Sequence, residues 1–195
     1  MSEADRLHWN ERYSSREVPV LNTPYLDRVA EFLPTAGAAL DVAGGSGRNA
    51  IWLARRGLDV ALVDVSEVGL AVARDSAASG GVTVELVLHD LDEGLPEGSW
   101  DLVSVFHYLN RPLFADIVGA LRPNGVLVGA IATIRNLERS SRPSLPFLLE
   151  EDELPRLVPT LELLHYEETW DDEDRHEARF VAKRPSETAT PDRIL

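Results

Sequence analysis

A glycine-rich turn directly after a short apolar segment is the feature that most restricts how this chain can fold. Residues 39–43 have the length and composition of a buried parallel strand. Three glycines then occur within a few positions, and their lack of a Cβ atom lets a ligand approach the backbone closely. They are Gly44, Gly45 and Gly47. A strand that runs into such a turn is typical of α/β proteins that bind nucleotide-like ligands.

The residues after the turn complete a strand–helix–strand unit. Their spacing predicts a helix over 48–56, capped by Gly57 at the C′ position, and a second strand over 58–63 that ends on Asp64. Gly45 to Ala50 also fits the G-x-G-x-x-G/A pattern, and an acid about 20 residues further on is what that pattern expects. The stretch by itself is therefore also compatible with NAD binding.

Asp41 precedes the glycines and bears on the choice of ligand. A carboxylate at this position would repel a pyrophosphate docked on the helix N-terminus. It would favour a ligand that carries positive charge, such as the ammonium and sulfonium groups of S-adenosylmethionine (AdoMet). The alternative is that Asp41 only caps the turn through its side chain.

The composition is that of one soluble domain. The chain has 195 residues, of which 44% are hydrophobic and 27% charged, and no apolar run approaches the length of a membrane span. The absence of cysteine excludes disulfides and zinc–thiolate sites, and the net charge of −14 disfavours nucleic acid or an anionic membrane as a partner. We therefore predict a cytoplasmic protein without a metal site, with one domain over 1–184 and a disordered tail over 185–195.

Strands and helices alternate along the chain, which predicts a doubly wound, mostly parallel sheet with helices on both faces. Two strands near the C-terminus, over 161–169 and 177–183, are joined by an acidic turn at 171–174, and so short a connection makes the pair antiparallel. With these two, seven strands are predicted. The other elements are strands over 82–88, 100–106 and 126–132 and helices over 5–13, 23–33, 67–78, 110–121 and 152–158.

Four polar residues follow predicted strands, at the edge where sheets of this kind bind ligands. They are Asp41, Asp64, Asp90 and His107. His107 is the candidate general base, should an acceptor lose a proton, and Tyr108 could orient that acceptor. The alternative is that His107 is a structural residue at the end of a strand.

The N-terminal segment, residues 1–22, is predicted to act as an anchor or as a lid. Trp9 and Tyr13 are four positions apart and share a face of its short helix, so both are candidates for acceptor binding. Residues 133–147 are predicted to form an unpacked loop with a basic patch. Arg135 in this loop and Arg179 in the last strand are further candidates, the alternative being ordinary surface arginines.

Taken together, these motifs resemble class I AdoMet-dependent methyltransferases, over roughly residues 8–183. The matching segments are 41–50, 63–66, 90–91, 100–103 and 121–125, and the segments 47–57 and 9–13 are similar to the tellurite-resistance/thiopurine-type branch. The resemblance implies a Rossmann-like α/β fold, AdoMet as cofactor and methylation of a small soluble acceptor. That acceptor would be a tellurite- or selenite-type oxyanion or a small thiol or other heteroatom compound.

The same resemblance implies roles at the methionyl end of the cofactor. Asp41 would hold the ammonium directly or through a water, and the backbone at Gly45 and Gly47 would admit the methionyl portion. Phe106 and His107 would lie beside the sulfonium.

At the adenosine end, Asp64 would accept both ribose hydroxyls. Asp90 would bind the exocyclic amine of adenine, Leu91 would offer its backbone, and Val65 would pack on the ring. Two other functions stay open from the sequence: an NAD(P)-dependent oxidoreductase and a non-catalytic AdoMet-binding protein.

Overall fold

The computed structural model describes residues 3–14 and 24–186 and contains the predicted alternation of strands and helices. The strands are β1 (Ala38–Val42), β2 (Asp59–Asp64), β3 (Glu85–Leu88), β4 (Trp100–Phe106), β5 (Leu121–Ala132), β6 (Glu162–Trp170) and β7 (His176–Lys183). The α-helices are α1 (Glu3–Ser14), α2 (Pro24–Arg28), α3 (Arg48–Arg55), α4 (Glu67–Ser79), α5 (Leu113–Ala120) and α6 (Glu153–Leu157). Short 3-10 segments are Ala30–Phe32, Leu91–Glu93, Ile134–Glu138 and Leu145–Phe147.

The strands form one sheet in the order β3-β2-β1-β4-β5-β7-β6. The pairs among β1 to β5 are parallel, whereas β7 runs antiparallel to both β5 and β6. The predicted mostly parallel, seven-stranded sheet with an antiparallel C-terminal hairpin is confirmed. Because the strand order reverses between β1 and β4, the ligand crevice is expected at the carboxyl ends of these two strands.

Helices cover both faces of the sheet because its central strands are apolar on both sides. Along β4, Val103 and Val105 join one buried cluster with side chains of α5 and α6. Leu102 and Phe106 join a second cluster with side chains of α2, α3 and α4. Alternate residues of one strand thus serve two cores, as the pleat of a strand requires.

The predicted helix over 23–33 is wrong in its extent. The structure has the short α2 and then the 3-10 segment Ala30–Phe32, and Thr23, the first residue of the predicted helix, lies outside the described residues. One physical reason is the guanidinium of Arg56, which donates to backbone carbonyl groups after α2, so no further α-helical turn is needed to satisfy them. These are the carbonyls of Ala30, Leu33 and Pro34.

Two other predicted boundaries differ from the structure. The third strand begins at Glu85 instead of residue 82, and as an edge strand it has one neighbour to pair with. Helix α5 begins after Pro112, whose ring holds φ near the helical value. Asn110 is therefore not the N-cap, and its side chain donates to Oδ1 of Asp92 (3.3 Å).

The segment over 133–147 is packed at its start, which corrects the prediction of an unpacked loop. Asn136, in the 3-10 segment Ile134–Glu138, is buried. Its side chain donates to the backbone carbonyls of Thr133 (2.9 Å) and His176 (2.5 Å) and accepts from the backbone N–H of His176 (3.1 Å). One buried amide thereby joins this segment to the start of β7.

None of the helices in the described residues has the length and apolarity needed to cross a bilayer. Across residues 3–14 and 24–186, no group of three or more His, Cys, Asp or Glu side chains is arranged to hold a metal ion. Segment 15–23 of the N-terminal region and residues 187–195 of the predicted tail lie outside the description.

Candidate functional site

Asp41 is buried at the glycine turn, with 1% of its surface exposed. Its Oδ2 accepts a hydrogen bond from the backbone N–H of Ala50 (3.1 Å), and its Oδ1 accepts one from the hydroxyl of Ser104 (2.7 Å). Burial raises the pKa of this carboxyl to about 7, although both hydrogen bonds oppose the shift. Asp41 therefore caps the turn and α3, as the alternative interpretation holds, and is only partly ionised near neutral pH.

Asp64 joins the turn to helix α4. Its Oδ2 accepts from the backbone N–H of Gly45 (2.8 Å) and its Oδ1 from that of Ser66 (2.8 Å). Ser66 in turn caps α4, because its hydroxyl accepts from the N–H of Gly69 (2.9 Å). A carboxylate oxygen has more than one acceptor position, so these bonds leave capacity for ligand hydroxyls. The ribose contact of Asp64 stays a prediction.

The glycines of the turn are required by the packing of the protein itself. A Cβ atom at Gly44 would lie 2.5 Å from Oδ2 of Asp41, and one at Gly45 would overlap the hydroxyl of Tyr13. Gly47 has a φ of +80°, and a Cβ atom there would lie 2.8 Å from the Cβ of Ala73 in α4. A side chain at Gly47 would thus clash with α4.

We expect Gly47→Ala to destabilise the protein by about 2–4 kcal/mol, since it combines left-handed backbone strain with overpacking against Ala73. Gly81→Ala is the matched control, because Gly81 has a φ of +68° and nothing lies within 4 Å of its Cβ position. The control should lose only about 1 kcal/mol, from backbone strain. Urea unfolding measures both, and equal losses would contradict the packing explanation.

A cleft of about 420 Å³ lies beside the turn, near the carboxyl ends of β2 and β3. Val65 and Leu88 give it apolar surface, and Asp90 gives it a carboxylate, which is the combination predicted for an adenine site. Asp90 also accepts from the backbone N–H of Asp92 (2.9 Å). The side chain of Leu91 is buried in the core, so only its backbone is available to a ligand.

Helix α1 is attached to the start of α4. Arg6 pairs with Glu67 (3.0 Å), and the side-chain oxygen of Asn10 accepts a hydrogen bond from the Ser66 hydroxyl (2.6 Å). Because Ser66 is also bonded to Asp64, this contact links α1 to the residues that hold the glycine turn. The N-terminal helix thus serves as the predicted anchor.

Tyr13 and Trp9 share a face of α1, as predicted, with ring centroids 5.9 Å apart. The Tyr13 hydroxyl stands where a side chain of Gly45 would point, and its ring packs against Gly69. Burial, helped by the charge of Asp64, raises the pKa of the Tyr13 hydroxyl. Tyr13 of this helix therefore covers the glycine turn. The lid over the cofactor and the roles of Trp9 and Tyr13 in acceptor binding stay predictions.

His107 follows β4 in the left-handed backbone region, with a φ of +56°. Its backbone N–H donates to the carbonyl of Ala130 (2.8 Å), and its half-exposed side chain places Nδ1 3.2 Å from Oε1 of Glu177. Glu177 reaches this position because β7 is antiparallel to β5. The first residues of β7 therefore pair with the last of β5, Glu177 lying opposite Ala132.

Glu177 is a charged group in a buried place, with 3% of its surface exposed. Its Oε2 accepts from Nε of Arg179 (3.2 Å), whereas its Oε1 has no well-aligned donor among the described residues. Burial by itself raises the pKa of Glu177, but His107, Arg175 and Arg179 outweigh burial and hold that pKa below its usual range. Glu177 is therefore ionised at neutral pH.

Phe106 and Tyr108 flank His107 in sequence but pack on opposite sides of the sheet. Phe106 belongs to the cluster under α2, α3 and α4, and its ring centroid lies 6.4 Å from that of His107. Tyr108 packs against the other cluster, and its hydroxyl accepts from Asn110 (3.5 Å). The structure thus brings His107 and Phe106 together and turns Tyr108 toward the other face.

The two arginines predicted for acceptor binding are both paired with carboxylates. Arg135 is exposed and donates to Glu138 (2.9 Å). Arg179 has a side chain that is 16% exposed and, besides its bond to Glu177, lies 3.8 Å from Asp171 and 3.9 Å from Glu167. These contacts agree with the alternative in which the arginines are ion-pair partners.

Sequence reasoning missed Ser104 and Glu177. Ser104 is a polar residue inside the apolar run of β4, and it pairs with Asp41 across the β1–β4 ladder. Glu177 was assigned to a strand but given no role. The signal that could have found Glu177 was the predicted antiparallel hairpin. In such a hairpin the first residues of β7 lie at the carboxyl end of β5.

The residues present fit AdoMet well at its adenosine end. The cleft beside Val65 and Asp90 and the oxygens of Asp64 provide the groups expected there. At the methionyl end the Tyr13 hydroxyl covers Gly45, so a ligand that contacts this glycine requires Tyr13 to move aside. The buried carboxyl of Asp41 lies just beneath this part of the turn.

Comparison with known proteins identifies the domain. Residues 39–125 match the family model for a methyltransferase domain. The structure is similar to TehB from Haemophilus influenzae, with a TM-score of 0.71, 18% identity, and coverage of 90% of this chain and 67% of that chain. Residues 39–125 therefore belong to a methyltransferase domain, and the fold is that of class I AdoMet-dependent methyltransferases. The TehB-like fold agrees with the sequence motifs, and the methyltransferase match supports AdoMet as the cofactor.

Other relatives of this methyltransferase domain agree on the fold. NodS from Bradyrhizobium japonicum, an N-methyltransferase in complex with S-adenosyl-l-homocysteine, has a TM-score of 0.69, 15% identity, and coverage of 93% of this chain and 98% of that chain. Hemagglutinin 1 from Eikenella corrodens is 30% identical over 138 residues, 66% of this chain and 45% of that protein, so the chain spans about half the length of this curated relative. The family match favours a methyltransferase over the oxidoreductase alternative.

Proposed function

We propose that the protein transfers a methyl group from AdoMet to a small soluble acceptor in the cytoplasm. The observation that carries the proposal is the placement of three acids around one turn and one cleft. Asp41, Asp64 and Asp90 belong to the carboxyl ends of the neighbouring strands β1, β2 and β3. A negative site of this kind favours a cationic ligand over a pyrophosphate.

Within this proposal, Asp64 binds the ribose, and Asp90 and Val65 bind adenine. Asp41 acts on the positive charge of the methionyl portion through its field or through a water, because the side chain is almost completely buried. Phe106 and His107 lie at the carboxyl end of β4, next to the end of β1, and are assigned to the region of the sulfonium.

Bound AdoMet supplies a methyl group already activated by the positive sulfur. The task left to the protein is alignment of the acceptor and exclusion of water. Helix α1 suits this task, since Tyr13 covers the turn and Trp9 stacks beside Tyr13. The proposed acceptor site is the space between α1, His107 and the segment that follows β5.

For the acceptor, the pairing of the basic side chains favours a small thiol or other heteroatom compound over a tellurite- or selenite-type oxyanion. An oxyanion requires cations that are available to it, but Arg135 and Arg179 are both engaged with carboxylates. The net charge of −14 also opposes the approach of an anion.

Parallel calorimetric titrations with AdoMet, S-adenosylhomocysteine and NADH test the proposal. We expect binding of the first two and none of NADH, and Asp90→Asn should weaken both adenosyl ligands by about tenfold through loss of a charged hydrogen-bond acceptor. Glu85→Gln, an exposed change at the other end of β3, is the control and should bind as the wild type. Tight NADH binding without AdoMet binding would refute the function.

A further inference from the structure

His107 and Glu177 form a histidine–carboxylate pair at the carboxyl end of β4. Nδ1 of His107 lies 3.2 Å from Oε1 of Glu177, an oxygen for which no hydrogen-bond donor is well aligned in the described part of the chain. An ionised carboxylate beside Nδ1 keeps the ring proton of a neutral imidazole on that atom. Nε2 then carries the lone pair, and it lies on the far side of the ring from Glu177.

The surroundings of the pair are built to keep Glu177 charged. Arg179 donates to its other oxygen, and Arg175 acts on it through space. Arg179 also lies near Glu167 and Asp171, so its charge is shared among three carboxylates. A buried carboxylate persists only where cations and hydrogen bonds compensate for lost hydration, and these arginines provide them.

The backbone at His107 also points to a function. A non-glycine residue in the left-handed region is strained, and such residues persist where the surrounding structure holds them, often at active sites. Here the bond to Ala130 holds the residue at φ of +56°. The side chain is thereby directed at Glu177 while 34% of its surface stays exposed.

We propose that Glu177 is the positioning residue that makes His107 a general base, and that the methyl acceptor carries a proton on its nucleophilic atom, as a hydroxyl, thiol or N–H group does. This inference rests on the methyltransferase function proposed above. The acceptor lone pair forms the bond to the methyl carbon, and the carbon–sulfur bond breaks with its electron pair left on sulfur. The acceptor proton passes to Nε2 of His107, and the resulting imidazolium is paired with Glu177.

Nitrogen-15 NMR of the histidine rings, assigned with His107→Gln, tests the positioning role without turnover. We expect Nδ1 of His107 to carry the proton in the neutral ring, and Glu177→Gln to remove that preference for Nδ1. Glu173→Gln, an exposed change in the same hairpin, is the control and should leave the ring unaffected. An unchanged proton position in Glu177→Gln would overturn the positioning role.

The acceptor class is tested by measuring the formation of S-adenosylhomocysteine. Mercaptoethanol, catechol and ethanolamine serve as protic probes, and dimethyl sulfide serves as an aprotic one. We expect transfer to a protic probe only, and Glu177→Gln should lower kcat by about 10- to 100-fold while AdoMet binding is unchanged. Transfer to dimethyl sulfide alone would overturn the base while leaving the methyltransferase function intact. AdoMet binding without transfer to any protic probe would overturn the acceptor class, whereas failure to bind AdoMet would overturn the function itself.

Discussion

Asp41→Asn is expected to stabilise the protein at about pH 8 and at the same time to weaken AdoMet binding by at least about tenfold. The folded carboxyl has a pKa of about 7 against an ordinary value of 3.8, because it is buried. The unfolded chain therefore loses this proton first as the pH rises, and the free energy of unfolding falls by about 1.4 kcal/mol per pH unit between the two values. Asn avoids this loss, which amounts to about 4 kcal/mol at most.

Asp41→Asn should also change the pH dependence of AdoMet binding. A cation near Asp41 favours the ionised carboxyl, so AdoMet binding to the wild type should strengthen as the pH rises toward about 7 and then level off. In Asp41→Asn this dependence should vanish. Calorimetry with AdoMet and thermal unfolding, each carried out from about pH 5 to about pH 9, measure the two effects.

Ser104→Ala is the matched control for Asp41→Asn, because it keeps the carboxyl but removes its 2.7 Å hydrogen bond. That bond lowers the pKa of Asp41, so its loss should move the pH dependence to higher pH without abolishing binding at alkaline pH. If Asp41→Asn stabilises the protein and binds AdoMet like the wild type, Asp41 serves only to cap the turn.

Arg111→Met is expected to lower the free energy of unfolding by about 2–3 kcal/mol. Arg111 donates to both carboxylate oxygens of Glu153 (2.5 and 2.8 Å) and to the backbone carbonyls of Pro146 (3.1 Å) and Leu148 (2.8 Å). The Glu153 side chain is 12% exposed, so the variant leaves a nearly buried carboxylate without its cation. Urea unfolding at neutral pH measures the loss.

The pH dependence of this pair has a definite sign. The hydrogen bond from Arg111 holds the pKa of Glu153 below its ordinary value of 4.5. Its stabilisation is therefore complete above that value and is lost as the pH falls below it. Arg135→Met is the control, since the Arg135–Glu138 pair is about half exposed and its removal should change the free energy of unfolding little. Equal losses in Arg111→Met and Arg135→Met would contradict the role of Arg111 in holding residues 146–153.

The unit from β1 to β2 could be predicted within one or two residues because several local signals agree there. The apolar run, the glycines and the helical spacing each describe the conformation of adjacent residues. Gly57 confirms this, since it ends α3 with a φ of +103°, as its predicted C′ position requires. The predicted start of the helix over 110–121 was wrong because Pro112 determined the start of α5, and two nearby signals competed over a few residues.

The sequence by itself determined the kind of sheet and the acids that follow its strands, because each depends on the period or the order of neighbouring residues, and it favoured AdoMet through its resemblance to class I methyltransferases. Only the tertiary structure decided the partners of those groups. Asp41 meets Ser104, Tyr13 covers Gly45, and Glu177 meets His107. Each contact joins elements that are far apart in the chain, and the last depends on the insertion of β7 between β5 and β6. No local pattern encodes strand order, so the glycine turn that indicated a nucleotide-type ligand could not reveal what closes over it or which carboxylate lies beside the histidine.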